Sequence, residues 1–108
     1  MTTTAIEIVS YKLNQSVAAE KLEEINQAVN EFLSAQEGFY YRSMSQDETG
    51  TYFDIAYWQN MELAKKAADA FCQDTAGKAL MAITDMESVK MKHMTAISET
   101  ASCQVESA

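Results

Sequence analysis

The stretch from Thr51 to Gln59 (TYFDIAYWQ) constrains this chain more than any other. Aromatic and β-branched residues fill it, as suits a pleated strand. Side chains alternate between the two faces of a strand. Phe53, Ile55 and Tyr57 therefore share one face, and Tyr52, Asp54, Ala56 and Trp58 share the other. Large rings stand on both faces, so both need cover. Asn60 follows as a helix cap, with Glu62 placed to suit the helix dipole. Leu63, Ala67, Ala70 and Phe71 then recur at helical spacing.

The rest of the chain supplies the partners of that strand. Ala5 to Leu13 (AIEIVSYKL) reads as a first strand, with Ile6, Ile8 and Ser10 on one side and Glu7, Val9, Tyr11 and Leu13 on the other. Ser16 is placed to cap a helix over about Val17 to Ala35. Its apolar positions are Ala18, Leu22, Ile25, Val29 and Phe32. Gly38 stands where a helix end needs a left-handed residue. Phe39 to Gln46 (FYYRSMSQ) reads as a second strand, joined to the third by a polar turn over Asp47 to Gly50. Asp74 or Thr75 starts a further helical piece through Ala82, and Ser88 to Ile97 alternates as a fourth strand. One domain over residues 1–98, with a polar tail at 99–108, is expected.

The order β-α-β-β-α-β predicts an α+β, ferredoxin-like fold with a four-stranded antiparallel sheet. Two helices cover one face of such a sheet and leave the other bare. A bare face this apolar is a binding surface, and its simplest cover is a second copy about a two-fold axis. The expectation is a homodimer through the sheet face, a closed α/β barrel.

Composition narrows the function classes. The 108 residues are 47% hydrophobic with a formal net charge of −8. Nucleic acid and anionic membrane need basic clusters, so neither is an expected partner. No apolar run is long enough to span a bilayer, and the N-terminus lacks the pattern of a signal peptide, which makes the cytoplasm the expected location. Cys72 and Cys103 form neither a disulfide framework nor a zinc spacing; Cys72 reads as a packed thiol. There is no phosphate loop, no paired metal-ligand spacing and no nucleophile–base constellation. Small-molecule chemistry or binding without metal or cofactor is what remains.

Three local patterns carry a resemblance: EIVSYKL in the first strand, GFYYRS at the opening of the second, and the third strand ending W-x-x-x-E-x-A at Trp58, Glu62 and Ala64. The chain resembles the antibiotic biosynthesis monooxygenase-like family of dimeric α/β barrels over about residues 5 to 97. That family is similar in shape across several activities, including cofactor-free oxygenation of polyphenols and quinols, haem breakdown and small-molecule binding. In its haem-degrading members a strand-one Asn, a strand-three Trp and a helix-two His form the site. Trp58 matches the Trp, but Tyr11 stands in place of the Asn and no His occurs near Ala76, which speaks against haem.

The resemblance implies a pocket between sheet and helices, lined by Glu7, Val9 and Tyr11 from strand one and Asp54, Ala56 and Trp58 from strand three. Such a pocket suits a small hydrophobic or aromatic molecule. Trp58 is either an aromatic wall for a planar ligand or a core tryptophan. Tyr11 either donates to a phenol or quinone oxygen or reaches solvent. Glu7 and Asp54 are either general bases with raised pKa or carboxylates paired with Arg42 or a lysine, or placed at an open sheet end. His93 shares a side with Val89, Met91 and Thr95, facing either pocket or dimer seam, and is a third candidate base. The leading expectation is cofactor-independent monooxygenation of a phenol or quinol, with Glu7, Asp54 or His93 as base and Tyr11 and Trp58 orienting the ring. The rivals are a non-catalytic binding dimer and a purely structural dimer with a filled core.

Overall fold

The computed structural model describes residues 2–14 and 17–100. Strand β1 (Ala5–Leu13) leads to helix α1 (Ala19–Ser34). Strands β2 (Phe39–Gln46) and β3 (Tyr52–Trp58) follow, then α2 (Met61–Gln73), α3 (Thr75–Ala82) and β4 (Thr84–Thr95). The sheet is antiparallel in the order β2-β3-β1-β4, so the two apolar strands are its centre. This is the ferredoxin-like arrangement, with α2 and α3 sharing the second helical position.

Local chemistry explains most element ends. The Asn60 side chain accepts from the Leu63 amide at 2.9 Å and starts α2. Asp74 ends α2 in extended backbone and caps α3 by accepting from the Ala76 amide at 2.9 Å. Gly38 turns the chain from α1 into β2 with φ +80°, a conformation that L side chains rarely adopt. At the β2–β3 turn the Asp47 carboxylate accepts from Thr49 and Thr51, which holds its pKa below the usual range.

Several expectations are corrected. Helix α1 begins at Ala19, two residues late, because Ala18 at its N-cap offers no side-chain bond; Ser16, the expected cap, lies outside the described residues, as does Cys103. The buried stripe of α2 is Ala64 and Ala67, while Ala70 is exposed. Cys72 is an exposed free thiol and not a packed one, since it lies on the outer side of the last turn of α2. Strand β4 starts four residues before Ser88, pairing Leu13 with Thr84, and it ends at Thr95, which leaves Ile97 almost fully exposed. The run Thr84 to Glu87, polar but for an exposed Met86, hides that start. A register shift between Ser10 and Lys12 accommodates it, with Ser88 Oγ accepting the Lys12 amide at 2.8 Å.

The core lies on one face of the sheet. One cluster joins Ala5, Ala56 and Trp58 to Ala64 and Ala67 of α2. A second joins Tyr11 to Ile25 and Val29 of α1 and to Ala76 and Leu80 of α3. Alanines on α2 let that helix close over the indole, a fit that a larger residue would block. Among the described residues no element covers the opposite face. Register places Ile6, Ile8, Phe53, Ile55, Tyr57 and Met94 there, each half-buried, with Tyr41 exposed beside Tyr57.

Candidate functional site

Register brings the predicted site residues to one place. Residues directly opposite in neighbouring strands share a face. Glu7 lies between Ala56 of β3 and His93 of β4, and Arg42 of β2 completes that row opposite Ala56. Val9 lies between Asp54 and Met91 in the next row, and Ala5 lies between Trp58 and Thr95 on the other side. Tyr11 lies opposite Tyr52, with their rings stacked at 6.2 Å. All seven candidates, Glu7, Val9, Tyr11, Asp54, Ala56, Trp58 and His93, therefore face the helices. His93 is on the helix side and not on the open face.

Within this face the polar groups split into two sets. The first is satisfied throughout. Arg42 is bidentate to Asp54, with Nε to Oδ1 at 2.6 Å and a terminal nitrogen to Oδ2 at 2.8 Å. Its other donors go to Asn30 at 2.9 Å and Asn26 at 3.0 Å, one turn apart on α1. The Tyr11 hydroxyl donates to Asp54 Oδ2 at 2.7 Å. Burial opposes the Arg42 charge, but the hydrogen bonds and attraction of Asp54 outweigh it and hold the guanidinium above its ordinary pKa. Burial and the neighbouring Asp54 charge push the Tyr11 phenol well above its ordinary pKa. Both Asp54 oxygens are occupied and the Tyr11 proton is already given away. Arg42, the chain's only arginine, enters the sequence reading only as a carboxylate's partner; Asn26 and Asn30 do not enter it at all. Two amides four apart on a helix and a lone arginine in an aromatic strand were the available signal.

The second set is only partly satisfied. His93 Nε2 and Glu7 Oε2 approach to 3.0 Å, with the two side chains 19% and 16% exposed. The approach is close but poorly aimed, and neither atom has a well-directed hydrogen bond. Trp58 is 1% exposed, and its indole N–H also has no acceptor. A buried indole N–H without a partner, on the same face as a buried carboxylate–imidazole pair that meets off line, is unusual in a folded core. Burial raises the Glu7 pKa above its ordinary value; His93 opposes this, and the Asp54 charge adds to it. Trp58 is held edge-on by Phe39, with ring centres 5.2 Å apart. A depression of about 210 Å³ is lined by Tyr11 together with Ser10, Lys12, Thr51, Ser88 and Lys90, and by none of Glu7, His93 or Trp58. Among the described residues no cluster of three or more His, Cys, Asp or Glu is arranged to hold a metal ion. No described helix is long and apolar enough to cross a membrane.

The raised Glu7 pKa has a consequence for stability. Between its ordinary value of 4.5 and the raised one, the folded chain binds more protons at Glu7 than the unfolded chain does. Stability from this group is full below the ordinary value and declines as pH rises through the folded value. The stability of the wild type minus that of Glu7→Gln, from urea unfolding across the acid to neutral range, should therefore fall with rising pH. A difference that grows with pH would contradict a desolvated Glu7.

No protein-family model matches this chain, and no curated protein matches it. Solved structures do. SnoaB, a cofactor-independent oxygenase from Streptomyces nogalater, superposes with a TM-score of 0.72 at 16% identity, covering 94% of this chain and 100% of SnoaB. A dimeric ferredoxin-like protein of unknown function from Thermobifida fusca gives 0.70 at 10% identity, covering 89% of this chain and 93% of its own. A protein from Caulobacter crescentus provisionally assigned as an antibiotic biosynthesis monooxygenase gives 0.68 at 13%, covering 90% and 92%. This chain has their fold. Identity this low carries the fold and not the chemistry.

Proposed function

We propose that this chain is a cofactor-independent monooxygenase of a small phenol or quinol, working as a homodimer closed over the open sheet face. The observation that carries the reading is a desolvated Glu7 carboxylate paired with His93 at 3.0 Å, with an unpartnered Trp58 N–H on the same face. A carboxylate with a raised pKa is a competent acceptor for a phenolic proton. Glu7 takes that proton, His93 stands next to it at the edge strand, and Trp58 donates to a ring oxygen. The deprotonated ring then reduces dioxygen. One oxygen atom enters the ring as a carbonyl, the C–H hydrogen and the phenolic proton leave with the other as water, and one dioxygen is consumed per substrate. Asp54, Arg42 and Tyr11 position the sheet against α1, and Val9 and Ala56 line the space beside Glu7. The likeness in fold to SnoaB supports this reading, and the dimeric Thermobifida fusca protein supports the assembly.

A second reading is a non-catalytic dimer that holds a small ring ligand. It is favoured by the closure of the site: Glu7 Oε2, His93 Nε2 and Trp58 Nε1 are shut from solvent, which suits retention of a ligand more than turnover. Oxygen uptake with a panel of quinols separates the two. Protein-dependent uptake, lowered roughly a hundredfold or more in Glu7→Gln, supports the enzyme. Uptake unchanged in Glu7→Gln removes Glu7 as the base, and binding without uptake leaves the second reading.

A further inference from the structure

We propose that the depression at the polar end of the open sheet face binds a small dianionic oxyanion, free or as the end group of a small molecule. Glu7, His93 and Trp58 stand on the other side of the sheet, and the inference is independent of their chemistry.

The backbone makes the space. Ser10 pairs with Lys90 and Lys12 with Asp85, so Tyr11 alone on β1 stands across from Met86 to Val89 on β4. A surplus of this kind bends the strand that carries it. The Ser88 hydroxyl pins the bend: it accepts from the Lys12 amide at 2.8 Å and donates to the Asp85 carbonyl at 2.6 Å. The depression of about 210 Å³ lies there.

Alternation decides which groups reach it. Ser10 is on the open face with Ile8, and Phe53 and Lys90 are its partners in that row. Lys12 and Thr51 continue the face one step past the Tyr11–Tyr52 pair. Lys92, opposite Ile8, adds a third cation in the next row. The other four of the seven lysines, Lys21, Lys65, Lys66 and Lys78, stand on the helices.

The free donors decide the ligand. Thr49 donates to Asp47 at 2.7 Å, so Thr51 is the donor of its 3.1 Å bond to Thr49. The Ser88 proton is already given to Asp85. Among the described residues the side-chain hydrogen bonds of this end of β1 run from the Tyr11 hydroxyl and to the Lys12 amide, and none engages Ser10 Oγ, Lys12 Nζ or Lys90 Nζ. No carboxylate lines the depression. Asp85 stands opposite Lys12, and Asp47 is near enough to Lys12 for that charge to help lower its pKa. Both are turned to backbone amides, Asp85 to that of Glu87 and Asp47 to those of Thr49 and Thr51, and neither forms an ion pair among the described residues. Two ammonium groups and a free hydroxyl around one depression call for an oxyanion. Two positive charges favour a dianion over a monoanion. The net charge of −8 repels polyanions at longer range, which leaves a small one.

Amide NMR of the isotope-labelled chain tests this at about pH 8, where phosphate is mostly dianionic. Inorganic phosphate, with ionic strength held constant by sodium chloride, should shift the Ser10, Lys12, Thr51 and Lys90 amides saturably, with a Kd on the order of millimolar. Lys12→Gln with Lys90→Gln should weaken binding about tenfold. The same loss of charge on α2, Lys65→Gln with Lys66→Gln, should leave it within about twofold. Phenyl phosphate binding tighter than inorganic phosphate assigns the oxyanion to a small organic molecule, with Phe53 beside Ser10 as the surface for its ring. Equal or weaker binding assigns it to free phosphate. Shifts that never saturate, or that chloride alone reproduces, overturn the site. Equal weakening by the two double variants overturns it too, since the effect would then be one of net charge. Binding unchanged in Lys12→Gln with Lys90→Gln places the anion elsewhere and has the same consequence. The wild-type titration decides even where a variant fails to fold.

Discussion

Asp54→Ala should cost about 3–5 kcal/mol of folding stability, the range for removing one partner of a buried ion pair. The reason is what it leaves behind. Arg42 would keep its charge in a site where its side chain is 4% exposed, with only two asparagine amides as partners. Tyr11 would lose the acceptor of its hydroxyl in the same step. Small domains hold about 5–15 kcal/mol in total, so the loss is a large share. Converting both members to apolar residues, Arg42→Met with Asp54→Leu, should recover much of it, because neither partner is then stranded. Equilibrium urea unfolding reads both variants. A loss under about 1 kcal/mol in Asp54→Ala would mean that the network is solvated in solution and does not fix α1 on the sheet.

Ile55→Asp should break the assembly and leave the helix-side core intact. Ile55 pairs with Ile8 at the middle of the open face, and both are half-buried within one chain. A two-fold interface repeats every substitution, so one change sets two unpaired carboxylates into an apolar seam. Dimer affinity should fall roughly a thousandfold or more. Far-UV circular dichroism should stay that of the wild type, since Ile55 points away from α1 and α2. Asp54 and Ile55 are adjacent in sequence and opposite in effect: the first acts on folding and the second on association. That contrast follows from the alternation of β3 alone.

How much was legible beforehand depended on whether a feature is local. The two faces of β1 and β3 could be read because alternation depends only on position within a strand, and Glu7, Val9, Tyr11, Asp54, Ala56 and Trp58 do share the helix side. The side of His93 could not be read from β4 alone, since it is set by the pairing of Glu7 with His93. The start of β4 was missed because Thr84 to Glu87 are polar or outward and show no alternation. The engagement of Asp54 was open for a similar reason. Asn26, Asn30, Arg42 and Asp54 sit on three elements, and no spacing in the sequence brings them together. The buried stripe of α2 fell on Ala64 beside Ala67 because the helix leans toward Trp58, a tertiary choice that propensity does not contain.

The paired sheet is tested most directly by the mass of the wild-type chain in solution. Size-exclusion chromatography with light scattering at low micromolar protein should give twice the chain mass of 12.0 kDa. A single-chain mass under those conditions, with the chain folded, would leave the open face wet and contradict the closed dimer.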